Sequence, residues 1–245
     1  MTLKLVEYML SFLISFNLFQ CREKNIENYK LLASLPNENI KLYAVDWKEA
    51  EYKQTGVYEK ILIQINEKQK EFSWIVDINP SFAPELILSD IDNDNKNELI
   101  VLITKYTGTE VNIQEVHVFK LNNFEEIQIV SLEEIIEKNV KTKIDQGNDS
   151  VSIEVSIGDY KFLTKAKKNS AVFWFTDIYF GNHINYYVVN NTLVARVKAN
   201  VSPTLAVGDI IIAYTFKDNL MKPVSIKFDV INNQNIFLTS LSLKN

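Results

Sequence analysis

Four carboxylates fall within nine residues, at Asp90, Asp92, Asp94 and Glu98 of the run Asp90-Ile-Asp-Asn-Asp-Asn-Lys-Asn-Glu98. Counted as loop positions they stand at 1, 3, 5 and 9. Alternate residues of a tight loop can turn their side chains toward one point. Ca²⁺ accepts six to eight oxygen ligands at flexible geometry, so such a loop could wrap it. Asp90, Asp92 and Asp94 would then supply side-chain oxygens, Lys96 its backbone carbonyl, and Glu98 a closing carboxylate. Position 6 calls for a left-handed backbone, which Gly adopts most easily and Asn next best. Asn95 occupies it. Without a counter-ion the four carboxylates repel one another, and a cation relieves that conflict. The alternative is a polar turn without metal, because Asp and Asn favour turns on their own.

The flanks decide which kind of loop this is. Leu86-Ile-Leu88 precedes it and Leu99-Ile-Val-Leu-Ile103 follows it, both short and apolar, so two strands are expected. An EF-hand needs helices on both sides and a bidentate Glu at position 12, where this chain has Val101. The expected unit is therefore a calcium hairpin over residues 85–104. Its segment Ser89-Asp-Ile-Asp-Asn-Asp-Asn-Lys-Asn-Glu-Leu-Ile-Val-Leu102 resembles the Asp-x-Asp-x-Asp-Gly-x-x-Asp/Glu loop of FG-GAP (VCBS-type, integrin-like) repeats, with Asn95 in place of the usual Gly. The longer run from Phe82 to Phe119 is similar to uncharacterised secreted or lipid-anchored bacterial proteins that carry one such segment. The resemblance implies Ca²⁺ as cofactor. FG-GAP repeats usually come in numbers that close a propeller. No second copy of the loop occurs here, since Asp145-Gln-Gly-Asn-Asp149 lacks the spacing.

Composition narrows the functional classes. The chain has 245 residues, of which 47% are hydrophobic, enough to bury a substantial core. A net charge of −5 without a basic block argues against nucleic acid as a partner. Cys21 is the single cysteine, so no internal disulfide and no Cys-rich zinc site can form. His117 and His183 are the only histidines, and no Gly-x-Ser-x-Gly elbow accompanies them. Each reads as a structural histidine, and no catalytic residue is assigned.

Residues 1–21 read as an export signal. Met9 to Phe19 is an apolar run too short to span a bilayer, and suits the core of a signal peptide. Cys21 follows, with Leu18 three residues before it and polar Arg22-Glu-Lys-Asn after it, as in a bacterial lipoprotein signal. Lipidation at Cys21 would anchor the chain to the membrane. Residues 22–38 then read as a polar tether or short helix, and 39–245 as a β-rich domain.

That domain is expected to be all-β, built mainly of antiparallel hairpins. Apolar runs flank turn residues at 66–70, Gly158-Asp159, Asn190-Asn191-Thr192 and Lys217-Asp-Asn219, while a slip of phase at Gln114-Glu115 suggests a bulge. One helix is expected around 131–139, where Ser131-Leu-Glu-Glu134 forms a capping box. A compact β-sheet domain is the leading architecture, with a small or partial β-propeller as the alternative. Phe173, Trp174, Phe175, Tyr179, Phe180, Tyr186 and Tyr187 cluster in sequence and are read first as core, and otherwise as a platform for glycan or peptide. The sequence thus points to a non-enzymatic, exported, monomeric cell-envelope protein, membrane-anchored or secreted, with a structural Ca²⁺ loop. A glycan- or protein-binding module and a secreted hydrolase are the alternatives.

Overall fold

The computed structural model describes residues 26–231 and the backbone of 236–243. The segment expected to be an export signal, with Cys21, lies outside the described residues.

The chain begins with β1 (Lys30–Leu35) and β2 (Ile40–Ala44), then helix α1 (Trp47–Lys53), β3 (Val57–Tyr58), β4 (Ile61–Ile65), β5 (Lys68–Phe72) and β6 (Val76–Asp77). These build an antiparallel sheet in the order β1-β2-β4-β5 beside a small β3-β6 ribbon. Next come β7 (Glu85–Ser89), β8 (Glu98–Gly108), β9 (Val111–Lys120), β10 (Gln128–Ile129) and helix α2 (Leu132–Asn139). Then follow β11 (Val140–Gln146), β12 (Ser150–Ile157), β13 (Tyr160–Lys167), β14 (His183–Val189), β15 (Thr192–Asn200), β16 (Ala206–Lys217), β17 (Leu220–Val230) and β18 (Ile236–Leu243). The largest sheet runs β10-β17-β16-β15-β14-β9-β8-β7, and a third runs β11-β12-β13-β18. Neighbours are antiparallel except β10 with β17 and β14 with β9.

The fold is a compact all-β domain of stacked sheets. Its sheets are unequal in size and do not repeat as blades, so the propeller alternative falls among the described residues.

Turn chemistry explains the hairpins. Asn190-Asn191 and Asp218-Asn219 all have positive φ, between 48° and 58°, the signature of the type I′ turn that matches the twist of paired strands. Gly158 opens its two-residue turn at φ 54°. The β4–β5 loop is also tighter than the sequence suggested. Ile65 faces Lys68, so only Asn66-Glu67 intervene, with Asn66 at φ 54°.

The core explains why β8 is so apolar. Leu99, Val101 and Ile103 join Ile40, Leu42, Ile61 and Ile63 in one buried cluster. Ile100 and Leu102 face the other way, into a cluster with Ile135, Val151, Ile153, Val155 and Val197. A strand buried on both faces reads as a continuous apolar run instead of an alternation. Burying these five side chains contributes roughly 10 kcal/mol before entropic costs. The strand stands between the two cores, and Glu98 is its first residue.

Three details depart from the sequence reading. The tether assigned to 22–38 is in part strand, because Leu32, Ala33 and Leu35 pack against the first core and β1 pairs with β2. The irregularity near Gln114 sits on the opposite strand, where Lys105 is the extra residue between Thr104 and Tyr106. The capping box is half made: Ser131 Oγ accepts the Glu134 N–H at 3.2 Å, but the Glu134 carboxylate takes Lys138 at 2.6 Å instead of turning back. Helix α1 had no sequence-based expectation. It buries Ala50, carries a Glu49–Lys53 pair and stops where Gln54 turns left-handed.

Candidate metal centre at the Asp90–Glu98 loop

β7 and β8 pair from Glu85–Leu102 to Ser89–Glu98, which leaves residues 90–97 as the loop of a hairpin. Asn93 and Asn95 adopt φ of 62° and 65°, the left-handed conformation that Asn tolerates best after Gly. These two kinks bend the backbone around the carboxylates. Asp90 accepts the Asp94 N–H at 3.0 Å through Oδ1 and the Asn95 N–H at 3.0 Å through Oδ2. Asp92 Oδ1 also accepts from Asp94 N–H, at 3.1 Å, and Asp94 Oδ1 accepts the Lys96 N–H at 2.9 Å. Lys96 itself is exposed. Ile91 plugs the loop into the core, and its N–H donates to Glu98 Oε2 at 3.1 Å. Ser89 Oγ bonds Asn191 Oδ1 at 2.8 Å and ties the hairpin to the β14–β15 turn.

The structure brings together three of the expected carboxylates. One oxygen each from Asp90, Asp92 and Glu98 lie within 4.8 Å of one another. Asp94 stands outside that group with a side chain 40% exposed.

It also adds a residue that loop spacing could not reveal. Lys120, on β9, faces Glu98 across the ladder. Its ammonium donates to Glu98 Oε1 at 3.2 Å, to Asp94 Oδ2 at 3.3 Å and, closely, to Asp92 Oδ2. It also lies 5.8 Å from the centre of the Phe216 ring. Burial alone would lower the Lys120 pKa. The bonds from Asp92 and Glu98 outweigh that and hold its proton well above the usual lysine range. Burial raises the Glu98 carboxyl, assisted by the negative Asp92 and opposed by Lys120. Burial also pushes Asp94 upward, but the Lys96 N–H and Lys120 pull it below its ordinary value.

The donor set fits a hard cation: several carboxylate oxygens, a buried closing glutamate and left-handed asparagines that aim the loop inward. An ammonium already contacts some of the same oxygens. Asp90, Asp92, Asp94 and Glu98 would be the side chains to hold Ca²⁺, with Lys120 as the group that must yield or share. Four carboxylates against one ammonium leave the cluster negative.

The histidines stand elsewhere. His117 stacks on Trp74 at 3.8 Å between ring centres, and its Nδ1 meets Glu126 Oε1 at 2.7 Å. It is packed and hydrogen-bonded through Nδ1, while its buried Nε2 has no hydrogen-bond partner among the described residues. His183 Nε2 lies 3.7 Å from Glu110 Oε2, near Lys198. The aromatic cluster divides: Trp174 is buried, whereas Phe173 and Tyr179 are exposed. No family model, curated protein or solved structure matches this chain.

Proposed function

We propose that the Asp90–Glu98 loop is a structural Ca²⁺ site in a non-enzymatic, exported protein of the cell envelope. The convergence of the Asp90, Asp92 and Glu98 carboxylates within 4.8 Å carries this reading. The likeness of the loop to FG-GAP-type segments supports the choice of Ca²⁺, and the apolar run before Cys21 supports export and a lipid anchor. The ion would clasp the loop over the end of β8, where both cores meet. Its role is to hold the hairpin together.

Extracellular modules bind Ca²⁺ in the range of about 10⁻⁴–10⁻³ M. At ~1 mM Ca²⁺ such a site stabilises the fold by on the order of 1 kcal/mol. For a chain of this size that is about 2–4 °C in melting temperature. The test is a set of melting curves of the full chain in EDTA, in millimolar Ca²⁺ and in millimolar Mg²⁺. A Ca²⁺-selective rise, absent in Asp92→Ala, supports the site. Equal melting in all three conditions makes the loop a turn clamped by lysine alone.

A further inference from the structure

We propose that the gap between β9 and β14 is a binding site for a free α-amino acid with an apolar side chain. The inference is independent of the metal loop. β9 and β14 pair in parallel only at Asn112–His183 and Ile113–Ile184, although both strands run on. Beyond those pairs a side chain bridges them: Gln114 Oε1 accepts the Tyr186 N–H at 2.9 Å. Farther along β9 the Val118 carbonyl accepts the Ile127 N–H at 2.8 Å, so another part of the chain takes over that edge. Residues 113–116, between these two points, line a cavity of about 260 Å³. Ile113, Ile129, Leu132 and Ile184 give it apolar walls. The connection that carries Ile129 and Leu132 is fixed, because Val130 N–H bonds the Met221 carbonyl at 3.0 Å and Ser131 caps α2. The cavity is therefore pre-built, and a ligand would order little on entering it.

Charge selects the ligand. Lys105, the extra residue of the β8 bulge, lines the cavity together with Glu115. A bulge can re-aim a side chain, and here the Lys105 ammonium meets Glu115 Oε2 at 2.9 Å. The other oxygen of Glu115 stands 3.9 Å from the buried His117 Nε2. Burial first, and then the Glu115 charge, raise the pKa of Tyr186, which lines the same cavity, so its hydroxyl stays neutral. The Lys105 and Glu115 side chains are 30% and 40% exposed. A pair that open to solvent holds together weakly, and its two charges can turn to a ligand.

An anion alone would meet Glu115, and a cation alone would meet Lys105. A zwitterion answers both, with its carboxylate on Lys105 and its ammonium on Glu115, while its side chain lies against the isoleucines. Ser131 Oγ accepts the Glu134 N–H and Gln114 accepts through Oε1, so both keep their own hydrogens to donate. Drug-sized ligands fill about 300–1,000 Å³. A cavity of about 260 Å³ suits one amino acid of the size of leucine or phenylalanine.

The test is titration of the full chain with L-leucine and L-phenylalanine, by calorimetry and by saturation-transfer NMR. A ligand this small should bind with a Kd on the order of 10⁻⁴ M. N-acetyl-L-leucine lacks the ammonium and L-leucinamide lacks the carboxylate, and each should bind about tenfold or more weakly. Glu115→Gln should weaken L-leucine about tenfold and remove its advantage over N-acetyl-L-leucine. Lys105→Met should remove its advantage over L-leucinamide. Neither side chain belongs to a buried cluster, and the comparison of the three ligands on the unaltered chain needs no variant. Lys143→Gln, which alters a side chain 64% exposed on β11, should leave binding unchanged. No binding of either amino acid at about 10 mM overturns the proposal. So does N-acetyl-L-leucine binding as tightly as L-leucine, and so does L-leucine binding that neither the Glu115 nor the Lys105 variant weakens.

Discussion

Replacing Lys120 with Met separates a lysine clamp from a metal site. Methionine keeps the apolar stem and removes the charge that touches Asp92, Asp94 and Glu98. The Asp92 and Glu98 side chains are 3% and 1% exposed, so water cannot replace the lost partner well. Removing one member of a buried ion pair costs about 3–5 kcal/mol. The Lys120 side chain is 25% exposed, which reduces the loss to roughly 2–3 kcal/mol. In EDTA the melting temperature should therefore fall by about 5–10 °C. Millimolar Ca²⁺ should restore most of that fall, because the ion no longer displaces an ammonium from its oxygens. Titration calorimetry should show Ca²⁺ bound about tenfold or more tightly, equivalent to about 1.4 kcal/mol of competition removed. An equal deficit in EDTA and in Ca²⁺ would refute the metal reading. A variant more stable than wild type in EDTA would refute the assignment of Lys120 as the internal counter-charge.

Further outcomes follow from other parts of the molecule. Burial first, and then the nearby Lys198, lower the pKa of His183 below 6.5. The neutral ring is the form the fold prefers, so its contribution is complete above 6.5 and is lost as pH falls through the lowered folded value. His183→Gln should flatten the acid side of a pH–stability curve measured by urea unfolding. At Gly208 an added Cβ would lie 2.5 Å from both the Asp229 carbonyl oxygen and the Phe228 ring. Gly208→Ala should destabilise by about 1–3 kcal/mol through overpacking, read as a lower denaturation midpoint. Leu99→Ala and Leu102→Ala remove side chains 0% and 3% exposed from opposite cores. Each should cost about 2–5 kcal/mol, and the double variant should equal their sum within about 0.5 kcal/mol. Marked non-additivity would mean that the two cores do not pack independently around β8.

What was legible in the sequence is what local chemistry determines. Asn190-Asn191 and Asp218-Asn219 declare their turns because few residues accept positive φ. Ser131 declares the start of α2 through its cap. The loop after Ser89 is legible as a hairpin because Asp and Asn alternate between two apolar runs. β1 was missed because its short apolar run Leu31-Leu-Ala33 lacks strand alternation and follows a polar stretch, and only pairing with β2 makes it a strand. The parallel contact of β14 with β9 was out of reach for another reason. It joins His183 to Asn112 and Ile184 to Ile113, far apart in sequence and without any turn between them.

Lys120 shows where loop spacing stops being sufficient. Carboxylates at alternate positions attract any cation, and the sequence cannot say whether that cation arrives from solution or from a neighbouring strand. Here the β8–β9 register places Lys120 opposite Glu98, 22 residues away. The tethered ammonium loses no translational freedom on arrival, but it carries one charge and can only hydrogen-bond. A divalent ion carries two, binds oxygens directly and must be drawn from solution, so its advantage grows with its concentration. On the proposed reading, the two cations compete for Asp92 and Glu98. The hairpin is then held by Lys120 when Ca²⁺ is scarce and more firmly by Ca²⁺ at millimolar levels. On that reading the loop is folded before the ion is met and gains stability wherever Ca²⁺ reaches millimolar levels.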